Sequence, residues 1–148
     1  MKSNFAQLYF RVAIGVAFFI LGLDRLGAWG PYGSKNVDWG DWQHFYTYAR
    51  SLMFFLPDSL AFAGAVIATG CEILFGILLV VGLFTRVAAI GSAILTFSFA
   101  VCMALANGIM SPINYSVFAV SAGFCLLASV SNYKWSIDEW LASRKPKK

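Results

Sequence analysis

Charge is what this chain has least of. Of its 148 residues, 12% are charged and 59% hydrophobic, and its mean hydropathy is +0.71. That composition excludes an ordinary soluble domain. From Val87 to Tyr133 there is no Asp, Glu, Lys or Arg; from Ser59 to Thr85 there is only Glu72, and from Phe5 to Leu23 only Arg11. Histidine occurs once, as His44, outside these runs. A haem held by two histidines within a membrane is thereby excluded, and no cluster of metal-ligating residue types stands together anywhere. No flavin is expected either. The three cysteines, Cys71, Cys102 and Cys125, fall in separate runs without a Cys-x-x-Cys pair. This argues against a membrane thiol oxidase and leaves them as small apolar packing residues. The apolar runs are continuous rather than alternating, which excludes a transmembrane β-barrel.

What is present is a set of runs long enough to span a bilayer. A hydrocarbon core of about 30 Å needs roughly 20 helical residues. The last uncharged block is broken by Asn107-Gly108-Ile-Met-Ser111-Pro112-Ile-Asn114, so it reads as two spans and a hairpin. The expectation is an all-α, integral membrane four-helix up-and-down bundle, one domain over 1–148, with helices at about 5–24, 59–84, 87–106 and 113–132. Lys2 and the first run resemble the start of a signal peptide, but Leu21 to Ala28 is a poor cleavage context, so the first helix is read as retained.

Lys and Arg set the orientation. With the N-terminus inside, Lys2, Arg86, Lys134, Arg144, Lys145, Lys147 and Lys148 are cytoplasmic, against Arg25, Lys35 and Arg50 outside. The bias places both termini in the cytoplasm. The basic tail within 134–148 is expected to lie against an anionic leaflet, and nucleic acid is excluded as a partner because no folded basic domain stands behind it.

The outer loop, 27–57, begins with turn residues and continues with helical periodicity. Trp42, Phe45, Tyr46, Ala49, Leu52, Met53 and Leu56 fall on one face, with Asp38 or Asp41 placed to cap the start. This predicts an amphipathic helix, either anchored at the outer interface or folded over the bundle mouth. Ser136 to Ser143 predicts a short C-terminal surface helix capped by Ser136.

An isolated carboxylate in lipid costs about 2.5–3.5 kcal/mol, so Glu72 needs a partner, a proton or water. It stands in a stripe of small residues, Gly64, Ala68, Glu72 and Gly76, suited to close helix approach. The first helix carries Arg11, Gly15, Phe18, Gly22 and Arg25 on one face. Packing these faces antiparallel, with both depths measured from the inner surface, brings Arg11 within about 7 Å of Glu72 along the bundle axis. An Arg11–Glu72 pair is expected, serving either helix register alone or a polar cavity.

Glu72-x-x-x-Gly76-x-Leu-Leu-x-x-Gly82-Leu-x-Thr85-Arg86-x-Ala-Ala89 resembles the signature of the DoxX family of small bacterial membrane proteins. So do Arg11 with Gly15 and Gly22-Leu-Asp-Arg-Leu26, the loop motifs Asp24-Arg-Leu-Gly-x-Trp-Gly30 and Val37-x-Trp-Gly40, and Ser111-Pro-x-x-Tyr-Ser-Val-Phe118. The resemblance covers nearly the whole chain, although many members carry lysine where this chain has Arg25. It implies a subunit of the bacterial cytoplasmic (inner) membrane. Members are associated with quinone-linked sulfur oxidation, as in the small DoxD subunit of thiosulfate:quinone oxidoreductase, and with thiol and oxidative-stress complexes. On that reading a quinone ring would sit among Phe18, Phe19 and Trp42, with Asp24 and Arg25 bonding a carbonyl. Glu72 and Arg11 would act as the catalytic proton relay or charge clamp, and a second subunit or a homo-oligomer would complete the protein. A carrier for a small anion or lipophile, and a non-catalytic membrane scaffold, are the alternatives.

Overall fold

The computed structural model describes residues 2–144. The basic run that begins at Arg144 lies, from residue 145 onward, outside the described residues. Seven helices occur among them: α1 (Lys2–Asp24), α2 (Trp42–Leu52), α3 (Asp58–Val81), α4 (Thr85–Asn107), α5 (Met110–Asn114), α6 (Val117–Ser129) and α7 (Ile137–Ser143). Three of them, α1, α3 and α4, are long and apolar enough to cross a membrane. The last apolar run is not one helix over 113–132. Ser116 takes a left-handed φ of 55° and separates α5 from α6. At 13 residues, α6 is about 20 Å long.

The helices pack as two antiparallel pairs, α1 on α3 and α4 on α6, joined mainly through α3 and α4. Gly15 lies against Gly76 and Gly22 against Ile73, and a Cβ on Gly76 would stand 2.8 Å from the Gly15 carbonyl oxygen. Small residues thus let the α1 and α3 backbones touch. In the second pair, Ser121 of α6 donates to the Ala93 carbonyl of α4 at 2.9 Å. The core of Phe18, Leu79, Ala88, Ala89, Ala93, Phe124 and Leu127 fills the half of the bundle nearer the α3–α4 turn. Phe124 stands edge-on to both Phe10 and Phe18, with ring centroids at 5.9 and 5.1 Å.

The C-terminal segment closes that end. Asp138 accepts from the Phe84 and Thr85 amides at 2.9 and 2.8 Å, capping α4 from a distant part of the chain, while its own amide donates to Gly82. Ser136 caps α7 by accepting from the Glu139 amide. At the opposite end α2, capped by Asp41, packs its buried face of Phe45, Ala49 and Leu52 against α3 and α4.

Candidate functional site

The only charged pair buried between helices among the described residues joins Glu72 to Arg25, not to Arg11. Arg25 follows the last residue of α1, and its Nη2 lies 2.7 Å from Glu72 Oε2. Its Nη1 donates to Thr69 Oγ1 at 3.1 Å. Thr69 and Glu72 are three residues apart on α3, so they share a face and receive one guanidinium together. The Phe45 ring of α2 covers the same guanidinium, with Cζ 4.1 Å from the ring centroid. Three elements therefore fix Arg25: its own helix end, α3 and α2. Its Nε is buried without a protein partner.

The Arg11–Glu72 pairing read from the sequence is corrected by the register of α1 on α3. The end of α1 is not level with the start of α3. Arg25 stands beside Thr69 and Glu72, so the first turns of α3, from Asp58 to Ala68, extend beyond the end of α1 and are covered by α2. Arg25 is 14 residues along α1 from Arg11, about 21 Å of helix. Arg11 is 1% exposed and faces the other end. Its Nη2 donates to the Trp135 carbonyl at 2.8 Å, and Gln7 beside it donates to the Lys134 carbonyl at 3.0 Å. A Cβ on Gly82 would lie 2.2 Å from Arg11 Nη1, so glycine, with φ of 70°, is what leaves room for that side chain. Arg11 thus ties the C-terminal segment to α1.

The other candidate residues do not converge. Asp24 Oδ2 accepts from the amides of Asp38 and Trp39 at 3.1 and 2.8 Å, so this carboxylate holds the loop that leads into α2. Phe18 belongs to the core at the closed end, and Phe19 lies against Gly76. Trp42 stacks with Tyr46 and meets Phe62 edge-on, on the α2–α3 face. Sequence reasoning missed Thr69 and gave Phe45 no role. The signal for Thr69 was present: a hydroxyl one turn from an intramembrane carboxylate.

Two cavities flank Arg25. The first, about 190 Å³, lies between α2, α3 and α4; Glu72, Thr96 and Cys102 line it among apolar side chains. The second, about 480 Å³, is lined by Asp38, Trp39, Tyr48 and Tyr115 together with Leu21 of α1 and Val117 of α6. Arg25, Phe45 and Phe99 belong to the walls of both. Cationic, acidic, hydroxyl and aromatic groups thus meet at one point of the bundle. Such a point can hold an amphipathic ring by its flat face and its polar edge.

A model of the DoxX family matches residues 6–105, a stretch that contains Arg25, Phe45, Thr69, Glu72 and Phe99. The chain belongs to the DoxX family. No curated protein and no solved structure matches it. With three helices able to cross a membrane, this DoxX protein is a small multi-pass membrane protein in contact with the lipid bilayer. The DoxX match ends within α4, so α5, α6 and α7 lie beyond it.

Proposed function

We propose that this DoxX protein is a quinone-linked, redox-associated subunit of the bacterial inner membrane, and that the first cavity receives the quinone ring. The observation that supports this most is the Arg25–Glu72 pair set into the wall of an apolar cavity. A pair that only fixed helix register would need no free space beside it. The residues fit such a ring. Arg25 Nε is a buried donor without a protein partner, suited to a carbonyl oxygen, and Phe45 and Phe99 offer flat apolar faces on the same wall. A lipid quinone supplies its own electron and proton chemistry when bound. The chain's residues orient the ring, exclude water with Leu52, Met53 and Leu95, and place a carboxylate within the same cavity.

The topology proposed with it has four crossings, α5 and α6 together making the fourth. Both termini are cytoplasmic, α2 covers the outer mouth at the interface, and a partner subunit or second copy delivers electrons. The anion-carrier alternative draws less support. Arg11 is engaged with a backbone carbonyl, Arg25 with Glu72, and Arg86 is exposed, so the three arginines do not form one attracting site.

Titration of the protein in lipid nanodiscs with short-chain ubiquinone and menaquinone, followed by tryptophan fluorescence, tests this. Saturable quenching is expected. Glu72→Gln and Arg25→Gln should weaken it at least tenfold, about 1.4 kcal/mol, while Arg11→Gln should leave it unchanged. Absence of saturable binding by either quinone would contradict the proposal.

A further inference from the structure

We infer that Glu72 exchanges its proton with the aqueous phase at the α2 end of the bundle, through the second cavity, and is closed to the α7 end. The inference rests on the site proposed above, but not on a quinone occupying it.

The two halves of the bundle differ in filling. Towards α7, Leu79, Ala88, Ala89 and Phe124 are each 0% exposed, and the C-terminal segment is tied across that end by Arg11, Gln7 and Asp138. A proton moving from there to Glu72 would have to cross a close-packed aromatic and aliphatic layer. Both Arg25-flanking cavities lie on the other side of that layer. The second is large enough for several waters, each taking about 30 Å³. Asp38, Tyr48 and Tyr115 offer those waters polar partners. The first is mostly apolar, with Glu72 as its acid.

Between the two stand Arg25, Phe45 and Phe99, the residues common to both walls. Arg25 is 7% exposed and its Nε has no protein partner, a buried donor of the kind ordered water satisfies. Gln7, Arg11 and Thr85 also hold buried unpartnered atoms, but at the α7 end, beyond the close-packed layer of Leu79, Ala88, Ala89 and Phe124. The titratable groups around Glu72 and its two flanking cavities are Arg25 at the end of α1, Asp38 of the loop, Tyr48 of α2, Cys102 of α4 and Tyr115 between α5 and α6. The step is simple: a hydronium ion gives its proton to a Glu72 carboxylate oxygen and leaves as water. Arg25 keeps Thr69 and the Phe45 face while its counter-charge is neutralised. In this arrangement Phe45 and Phe99 form the partition between the two cavities, with Arg25 as its only charged member.

Cys102 lines the first cavity and is a native reporter. The protein with Cys71→Ala and Cys125→Ala, in sealed vesicles of each orientation, is exposed to an anionic, membrane-impermeant methanethiosulfonate. Phe99→Ala opens the partition, and Phe45→Ala does so where Phe99→Ala fails to fold. In the opened variant Cys102 should react at least about tenfold faster from the α2 side than from the α7 side. Adding Val117→Trp, which fills the second cavity, should slow that reaction at least about fivefold. Equal or faster labelling from the α7 side, insensitivity to Val117→Trp, or no labelling of the opened variant from the α2 side would each overturn the inference. No quinone is present in this assay, so its failure is distinct from failure of the binding titration.

Discussion

Arg11 within α1 and Arg25 just past its end follow one helical face, and each is buried, but only Arg25 forms an ion pair with a carboxylate. Arg11 spends its charge on a backbone carbonyl near the closed end, where it joins the C-terminal segment to the first helix. The sequence shows which face of α1 carries charge and that Glu72 needs a partner, since lipid tolerates neither group alone. It does not show which arginine meets Glu72, because both positions obey the same helical spacing. A double-mutant cycle separates them. Arg25→Ala with Glu72→Ala should give a coupling of about 1–3 kcal/mol in reversible unfolding from mild detergent. Arg11→Ala with Glu72→Ala should give close to none. Removing only one member of the Arg25–Glu72 pair should cost about 3–5 kcal/mol, because the other charge stays buried.

Among the elements, the three long apolar helices are legible because hydropathy is continuous over each span, and the small residues of α1 and α3 mark the faces that meet. The slide between those helices is not legible. Apolar length states how far a helix can cross lipid, not where its partner begins. Here α2 packs on the first turns of α3, which project past the end of α1, so α3 need not start level with that end. The break at Ser116 is less legible because the apolar run resumes directly after it; Ser116 itself is exposed and takes a left-handed φ of 55°. The cap of α2 is local and easier to read. Asp41 accepts from the His44 amide at 2.9 Å, and its carboxyl lies below the usual range because of that backbone bond first and the His44 ring second. The sign follows from the depressed value. The cap contributes fully above the ordinary carboxylate pKa of about 3.9 and is lost as pH falls through the lower folded value. The His44 amide resonance should therefore titrate below about pH 3.9, and Asp41→Asn should abolish the transition. A midpoint at or above the ordinary value would refute the cap's role.

Across the molecule as a whole, the close-packed core and the two cavities beside Arg25 lie towards opposite ends of the bundle. Large side chains interlock where α1, α4 and α6 meet near the α3–α4 turn, as Phe10, Phe18 and Phe124 show. At the α2 end, Gly64, Ala65 and Ala68 present little volume to the first cavity. The stripe that lets α3 approach α1 at Gly76 thus leaves space higher up, where α1 has already ended. This division, invisible in composition, gives the buried ion pair something to act on. The most direct test is photo-crosslinking with an azido-quinone in native-like bilayers, followed by peptide mapping. Label is expected between Phe45 of α2 and Met53 just past it, and on α4 between Leu95 and Cys102, and is expected to be lost in Glu72→Gln. Label confined to the Phe18–Phe19 region of α1, or label unaffected by that substitution, would contradict it.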